Sequence, residues 1–474
     1  DVLMGVVFYP RGGSAQVVRY LSRALADRGH RVHLVTGTLR DGDPQHDARV
    51  FYGDLELTVV DYTEAWRGYL AGMDPISERW PVPFHPSYED KPDVPDRVFY
   101  KVGKSAYSAL VSSWRRAFDD VRRKSQPDIL HLHHLNHMHL ASDAFGDVPR
   151  LTQLHGTEIK MLERMTELEA DGSGTDLMAF WRKRIQEAAS MMDHFFAISP
   201  DVQRRGQEQF GLAANRITAV PNGVDVSLFK PLRWSAEKRL DFLHRILVEE
   251  PRGWSEGGGP GSVRYGKDDL ERLKRPDGSL KPLLLFVGRF LGFKRVPLLL
   301  EAVAEVNTAL GGQEPPYNLL VWGGMPGEWE GRHPHTVAED LGLSNVFFCG
   351  WLPHDVLSQG LNTADCFVAP SHYEPFGQVF LEAMATGIPV IATRSGGPLS
   401  FVVDHGPKAN GWLCDVDDRH SLATVIRQAV TNEPELVRRG SNALALIREK
   451  YDWRIIAGTY EKIYLRQIAE RAGP

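Results

Sequence analysis

Glu374 and Glu382 stand eight positions apart in the segment Glu374-Pro375-Phe376-Gly377-Gln378-Val379-Phe380-Leu381-Glu382, which runs on as Ala383-Met384-Ala385-Thr386-Gly387. The pattern predicts a helix opened at Gly377 and ended near Gly387, with Glu374 in the loop before it and Glu382 about one and a half turns in. The free N–H groups of a first helical turn favour an anion. Two carboxylates beside such a point can accept hydrogen bonds from sugar hydroxyls on either side of a phosphate. The plain alternative is a capped surface helix with two solvated glutamates. Arg289 and Lys294 follow the apolar run Leu283–Val287 and Gly288. A planar guanidinium fork and a compact ammonium are two ways of meeting phosphate oxygens; the alternative is an ordinary surface pair. His155 follows the run Leu151–Leu154. As a neutral ring it can hydrogen-bond a hydroxyl, as a cation it can stabilise phosphate, and as a strand-end histidine it can simply be satisfied by its neighbours.

Metal chemistry has weaker support. Asp41-Gly42-Asp43 and Asp415-Val416-Asp417 both read D-x-D, a tripeptide common in loops. His131, His133, His134, His137 and His139 are a denser cluster of potential ligands. The first two lie in a strand candidate, so packing or acceptor contacts are the competing readings. No metal is expected.

Short apolar runs alternating with helical stretches must position these residues, the pattern of parallel α/β structure. The first strand candidate, Val2–Phe8, ends in Pro10-Arg11-Gly12-Gly13 and is followed by a helix with Val17, Leu21, Ala24 and Leu25 on one face. Others are Val32–Val35, Leu57–Val60, Ile129–His133, Leu151–Leu154, Phe195–Ile198 and Ile217–Val220. A second series comprises Leu283–Val287, Asn318–Trp322, Val346–Cys349, Cys366–Ala369 and Val390–Ala392. Two such halves imply two Rossmann-like domains facing across a cleft, with ligands at the carboxyl ends of the strands. Neither half carries GxGxxG, which leaves a dinucleotide redox cofactor without support. Two stretches exceed this frame. Residues 62–97 are rich in proline and aromatics that could stack on sugar rings; residues 234–281, with several glycines, read as a flexible surface insertion.

The 474 residues carry 55 Lys and Arg against 61 Asp and Glu, a net charge of −6, which argues against nucleic acid as a partner. Cys349, Cys366 and Cys414 are widely spaced and odd in number, so a disulfide framework is excluded and a reduced, cytoplasmic setting is expected. No apolar run is long enough for a transmembrane helix. The opening run is too short, and too poor in basic residues, for a signal peptide.

The Glu374–Glu382 segment resembles the E-x7-E signature of retaining GT-B glycosyltransferases of family 4. Five further pieces are similar, in order: Pro10–Gly13, His155-Gly156-Thr157-Glu158, Pro221-Asn222-Gly223-Val224-Asp225, Gly288-Arg289 with Lys294, and Ser395-Gly396-Gly397-Pro398. The resemblance implies a GT-B fold with residues 1–216 as an acceptor-binding domain. Residues 217–453 would form a nucleotide-sugar domain, and a final helix near 454–474 would cross back to the first. It implies Glu374 and His155 at the reacting sugar, and Arg289, Lys294, Gly12 and Gly13 at the donor diphosphate. Phe376, Gly377 and Gln378 would lie at the donor sugar, Glu382 at the ribose, and Gly350, Trp351 and Leu352 near the base. His134 and Glu158 would face the acceptor. The implied activity is retaining, metal-independent transfer from a UDP- or GDP-linked sugar to a small soluble acceptor such as a sugar, cyclitol or natural product. No cofactor is implied besides the nucleotide-sugar co-substrate, and no stable membrane insertion. A GT-B phosphorylase, a nucleotide-sugar epimerase and a non-catalytic nucleotide-sugar-binding protein are the rivals.

Overall fold

In the computed structural model, which describes residues 1–90, 95–312 and 314–472, the apolar runs of the first half become seven parallel strands. They are β1 (Val2–Val6), β2 (Val32–Thr38), β3 (Glu56–Asp61), β4 (Ile129–His133), β5 (Arg150–Leu154), β6 (His194–Ala197) and β7 (Ile217–Ala219), in the order β3-β2-β1-β4-β5-β6-β7. The second half builds a parallel sheet from β8 (Leu283–Val287), β9 (Asn318–Trp322), β10 (Val346–Gly350), β11 (Cys366–Ala369), β12 (Val390–Thr393) and β13 (Gly411–Cys414), in the order β10-β9-β8-β11-β12-β13. Helices cover both faces of such sheets, so central strands are continuous apolar runs rather than alternations. β1 and β4 are buried along their whole length.

Strand order reverses between β1 and β4 in one sheet and between β8 and β11 in the other. Loops leaving neighbouring strands in opposite directions open a crevice at their carboxyl ends, the usual ligand position in open α/β sheets. The loops after β8 and β11 carry Arg289, Lys294 and Glu374. Those after β1, β4 and β5 carry Gly12, Gly13, His134 and His155.

The chain divides into two compact units, Asp1–Gly223 with the segment from Trp453 onward, and Val224–Asp452. The expected boundary at 216 falls too early. β7 pairs with β6 (Phe195 opposite Ile217) and belongs to the first sheet, so the second unit spans 224–452 rather than 217–453. Gly223 packs so tightly on Trp453 that a Cβ there would lie 2.6 Å from the indole. The helix Trp453–Ala472 packs within the first unit and buries Ile456, Tyr460, Ile463 and Tyr464. Tyr460 Oη donates to Gln153 Oε1 at 2.6 Å, and Tyr464 Oη lies 2.6 Å from His131 Nδ1.

Residues 234–281 are not the flexible loop their glycines predict. They hold the helix Ala236–His244, a π-helical turn Arg245–Glu249 and a 3-10 segment Asp268–Leu273. Phe242, Leu243, Ile246, Leu247, Trp254 and Leu270 are buried. The glycines make turns between anchored apolar residues, a pattern that composition alone does not separate from a loose loop. The described part of 62–97 likewise packs its own aromatics. Phe84 is buried among Tyr9, Tyr62, Trp66 and His85, and Trp80 lies against Gly68; residues 91–94 lie outside the described residues.

Replacing Tyr460 by Phe leaves Gln153 Oε1 without its buried donor. This variant is expected to lose about 1–3 kcal/mol of stability, measured as a lower urea midpoint for the transition of the first unit.

Candidate functional site

The second unit brings Lys294 and Glu374 into direct contact. Lys294 ends a 3-10 turn, Gly292–Lys294, after β8. Glu374 lies in the loop after β11, and β8 and β11 are adjacent. The Lys294 ammonium donates to Glu374 Oε1, which also accepts from Ser371 Oγ at 2.9 Å. Ser371 is itself held by Thr393 Oγ1, which donates to its carbonyl at 2.6 Å. Both charged side chains are largely buried. Attraction, with the extra hydroxyl donor, offsets the desolvation that an isolated buried charge would suffer.

The loop around Glu374 is set by glycine. Gly377, at φ +91°, opens the helix Gln378–Ala385. Gly396 and Gly397 lie under the loop: a Cβ on Gly396 would stand 2.2 Å from the Glu374 carbonyl oxygen, and one on Gly397 2.3 Å from Phe376 Cα. Gly397 N–H donates to that carbonyl at 2.7 Å. The Phe376 ring is buried edge-on to Phe401, so at this position the backbone rather than the ring is the group left to meet a ligand. Glu382 is buried on the helix and sits 3.2 Å from His354 Nε2. Arg289 is 3.3 Å from Glu328 through Nε. Gly350 has φ +70°, Leu352 is buried, and Trp351 is 46% exposed.

Sequence reasoning missed Ser371, His354 and Glu328. Ser371 stands three residues before Glu374 and shares its loop, the one signal available. His354 reaches the site from the start of the helix His354–Leu361 and Glu328 from the loop after β9, and only folding reveals them.

In the first unit, Gly12 at φ +68° and Gly13 open the helix Gly12–Ala26 after β1, and among the described residues a Cβ on either would meet nothing within 4 Å beyond its chain neighbours and the helix's own backbone. Arg11 beside them donates to Asp96 and, at 3.2 Å, to Tyr9 Oη. His134 takes the left-handed conformation (φ +71°), which lets it leave β4 abruptly. Its Nδ1 is 2.9 Å from Oε1 of fully buried Glu158. The His155 ring lies against His134 with centroids 4.4 Å apart, and its Nε2 is 3.0 Å from His133 Nδ1. The four expected residues Gly12, Gly13, His134 and His155 thus sit on the carboxyl-end loops, with Glu158 beneath them.

Burial decides the protonation that sequence leaves open. It pushes the His155 and His133 imidazoles well below the usual histidine range, and neighbouring rings add to the effect. His155 is therefore a neutral hydrogen-bonding group rather than a cation. Burial also lowers His131 and His137 to about 3.

The D-x-D aspartates have structural partners. Asp417 is paired with Arg295 and, through Oδ2, with His372 Nδ1 at 2.8 Å; these hydrogen bonds hold its carboxyl at about 2. Asp41 sits 2.9 Å from His46 Nδ1, and Asp43 caps the turn that follows by accepting from Gln45 N–H. Among the described residues, no group of three or more His, Cys, Asp or Glu side chains is gathered in a metal-binding arrangement, and no helix is long and apolar enough to cross a membrane.

A family model described as "Glycosyltransferase Family 4" matches residues 11–228, and one described as "Glycosyl transferases group 1" matches residues 269–445. Over 470 residues the chain is 25% identical to N-acetyl-alpha-D-glucosaminyl L-malate synthase of Bacillus anthracis, covering 97% of this chain and 96% of that one. Over 251 residues it is 31% identical to D-inositol 3-phosphate glycosyltransferase 2 of Catenulispora acidiphila, covering 49% and 58%. Sucrose-phosphate synthase from Thermosynechococcus elongatus shares the fold with a TM-score of 0.63 at 20% identity, covering 99% of each chain. Anabaena HepE, solved with UDP-glucose, shares it with a TM-score of 0.61 at 16% identity, covering 98% and 99%.

The buried histidines carry a prediction with a definite sign. A group whose folded pKa is depressed binds its proton more readily in the unfolded chain, so stability is full above the unfolded value and lost as pH falls towards the folded one. For His131 and His137 that window runs from about 6.5 down to about 3. At about pH 5 each fully buried ring is expected to cost ~2 kcal/mol. The thermal midpoint of the first unit should therefore fall between pH 7.5 and pH 5.

Proposed function

Because both family models and the two parallel sheets indicate a GT-B glycosyltransferase, we propose that the chain transfers a sugar from a nucleotide diphosphate, UDP or GDP, to a small soluble acceptor, with retention of anomeric configuration and without a metal. The observation that carries this reading is the Glu374 constellation: a carboxylate held by Lys294 and Ser371 at the strand-order reversal, one turn before a helix that carries Glu382. The relatives' names support the substrate class. HepE was solved with UDP-glucose, and the malate, inositol phosphate and sucrose-phosphate enzymes are named for small polar compounds.

In this reading Arg289 and Lys294, with the first-turn N–H groups of the helix Gln378–Ala385, meet the diphosphate charge that grows as the bond to the sugar breaks. Glu382 binds the ribose hydroxyls, and Glu374 the hydroxyls of the transferred sugar. Gly12 and Gly13 let backbone approach the phosphate. Neutral His155 hydrogen-bonds the transferred sugar, and His134 over Glu158 serves the acceptor. The C1–O bond to the diphosphate breaks as the acceptor nucleophile attacks the same face through an oxocarbenium-like state. The acceptor proton passes to the departing phosphate oxygen, so no separate protein base is required.

Thermal unfolding in EDTA against UDP-, GDP-, ADP- and dTDP-sugars tests the donor. A ligand at about 100 times its dissociation constant adds about 2.7 kcal/mol. One nucleotide series is expected to raise the midpoint, and a shift that appears only with divalent metal would overturn metal independence. Glu382→Ala should weaken donor binding by about tenfold or more, whereas Glu374→Gln should lower kcat by about a hundredfold with donor affinity little changed. The product anomer, read by NMR, should match that of the donor; an inverted product would reject the mechanism.

A further inference from the structure

The insertion 234–281 touches every loop assigned above to the donor nucleotide on one side of the second sheet. Trp254 is buried, and its Nε1–H donates to the Gly324 carbonyl, after β9, at 2.9 Å. Its indole stacks on Phe290, between Arg289 and Lys294 in the loop after β8, with centroids 5.7 Å apart and planes 24° apart. The His333 ring closes the cluster edge-on at 4.4 Å. One residue earlier, a Cβ on Gly253 would stand 2.3 Å from the Phe348 carbonyl oxygen. A Cβ on Gly350, at φ +70°, would stand 2.0 Å from the Arg252 carbonyl oxygen. The backbone of 252–253 is thus laid against the end of β10, beside the expected base loop Gly350–Leu352. β10 is an edge strand, and Tyr265 Oη of the same insertion accepts from its Phe348 N–H at 2.8 Å.

These contacts tie together loops that are also joined to one another. Gly323 N–H donates to the Gly350 carbonyl at 2.9 Å, and Glu330 N–H to the Phe290 carbonyl at 2.9 Å. Glu330 Oε2 accepts from Gly292 N–H at 2.7 Å. A buried indole needs a partner for its N–H, and the one it has is a backbone carbonyl in the middle loop, which fixes its height between the other two. Loops that are fixed before a ligand arrives lose less freedom when it binds, and that difference appears as affinity.

We propose that Arg252–Trp254 is a strap that holds the diphosphate and base loops in register, with Trp254 as a positioning residue for the donor nucleotide. The inference rests on the nucleotide-sugar reading above. Trp254 contacts the loops rather than the nucleotide, so its signature is in donor affinity and base selectivity, not in turnover.

The test is calorimetric binding of UDP, GDP, ADP and dTDP to the full chain and to its Trp254→Phe and Tyr265→Phe variants, with donor KM and kcat measured alongside. Trp254→Phe keeps an aromatic ring and removes the hydrogen bond to Gly324; Tyr265→Phe releases the same insertion at a second anchor without disturbing the indole. Each folded variant is expected to bind the preferred nucleotide about tenfold more weakly. The preference over the other bases should narrow and donor KM should rise, with kcat within about twofold of the parent. If the parent binds a nucleotide and both folded variants bind it as tightly and as selectively, the strap is wrong while the donor reading stands. If the parent binds none of the four, the donor reading itself fails and the strap's role falls with it.

Discussion

The ion pair between Lys294 and Glu374 depends on one topological constraint, the adjacency of β8 and β11 where strand order reverses. Residues eighty positions apart in sequence meet because their strands are neighbours and both loops leave at the carboxyl end. Everything else around Glu374 serves to keep that carboxylate in place. Ser371 supplies a second donor, and Gly396 and Gly397 leave room for the backbone to lie flat beneath the loop. A larger residue at either glycine would push the loop off its support, since the contacts it would meet are backbone atoms, which cannot swing aside as a flexible side chain can.

The first unit meets its problem differently. It buries His131 and His133 along β4, and His134 and His155 just past the ends of β4 and β5, where water cannot solvate a charge. Burial makes His131, His133 and His155 neutral, and stacking then costs little because no like charges face each other. Glu158 is the carboxyl member of this layer and lies against His134. The same burial that keeps these rings neutral is what makes loss of stability the expected outcome as pH falls.

The two extra stretches act as packing elements. Residues 62–90 build an aromatic cluster around Phe84 and His85, next to the glycine turn after β1. Asp96 reaches back to Arg11 beside Gly12. Residues 234–281 cover the β10 edge and carry Trp254 beneath the loops of the second unit. In the second, glycine-rich composition suggests mobility, while long-range burial of a few large side chains supplies order.

Much of this molecule was legible from one-dimensional pattern. Parallel strands buried on both faces must be apolar runs, so twelve of them showed in the sequence, eleven to within two residues at either end, while β2 runs three residues past the expected Val35. β13 escaped because Gly411–Cys414 opens with a glycine, packed so close to the Val390 carbonyl that a Cβ there would lie 2.4 Å from it. Motif spacing brought out Glu374, Glu382, Arg289 and Lys294, since local turns and helix starts are encoded by neighbours in sequence. What spacing could not determine was set by tertiary structure: that Lys294 lies on Glu374, that Ser371, His354 and Glu328 join the site, that His155 is neutral, and that a glycine-bearing insertion is anchored by one tryptophan. Each depends on desolvation or on contact between distant segments, and both arise only once the sheets have assembled.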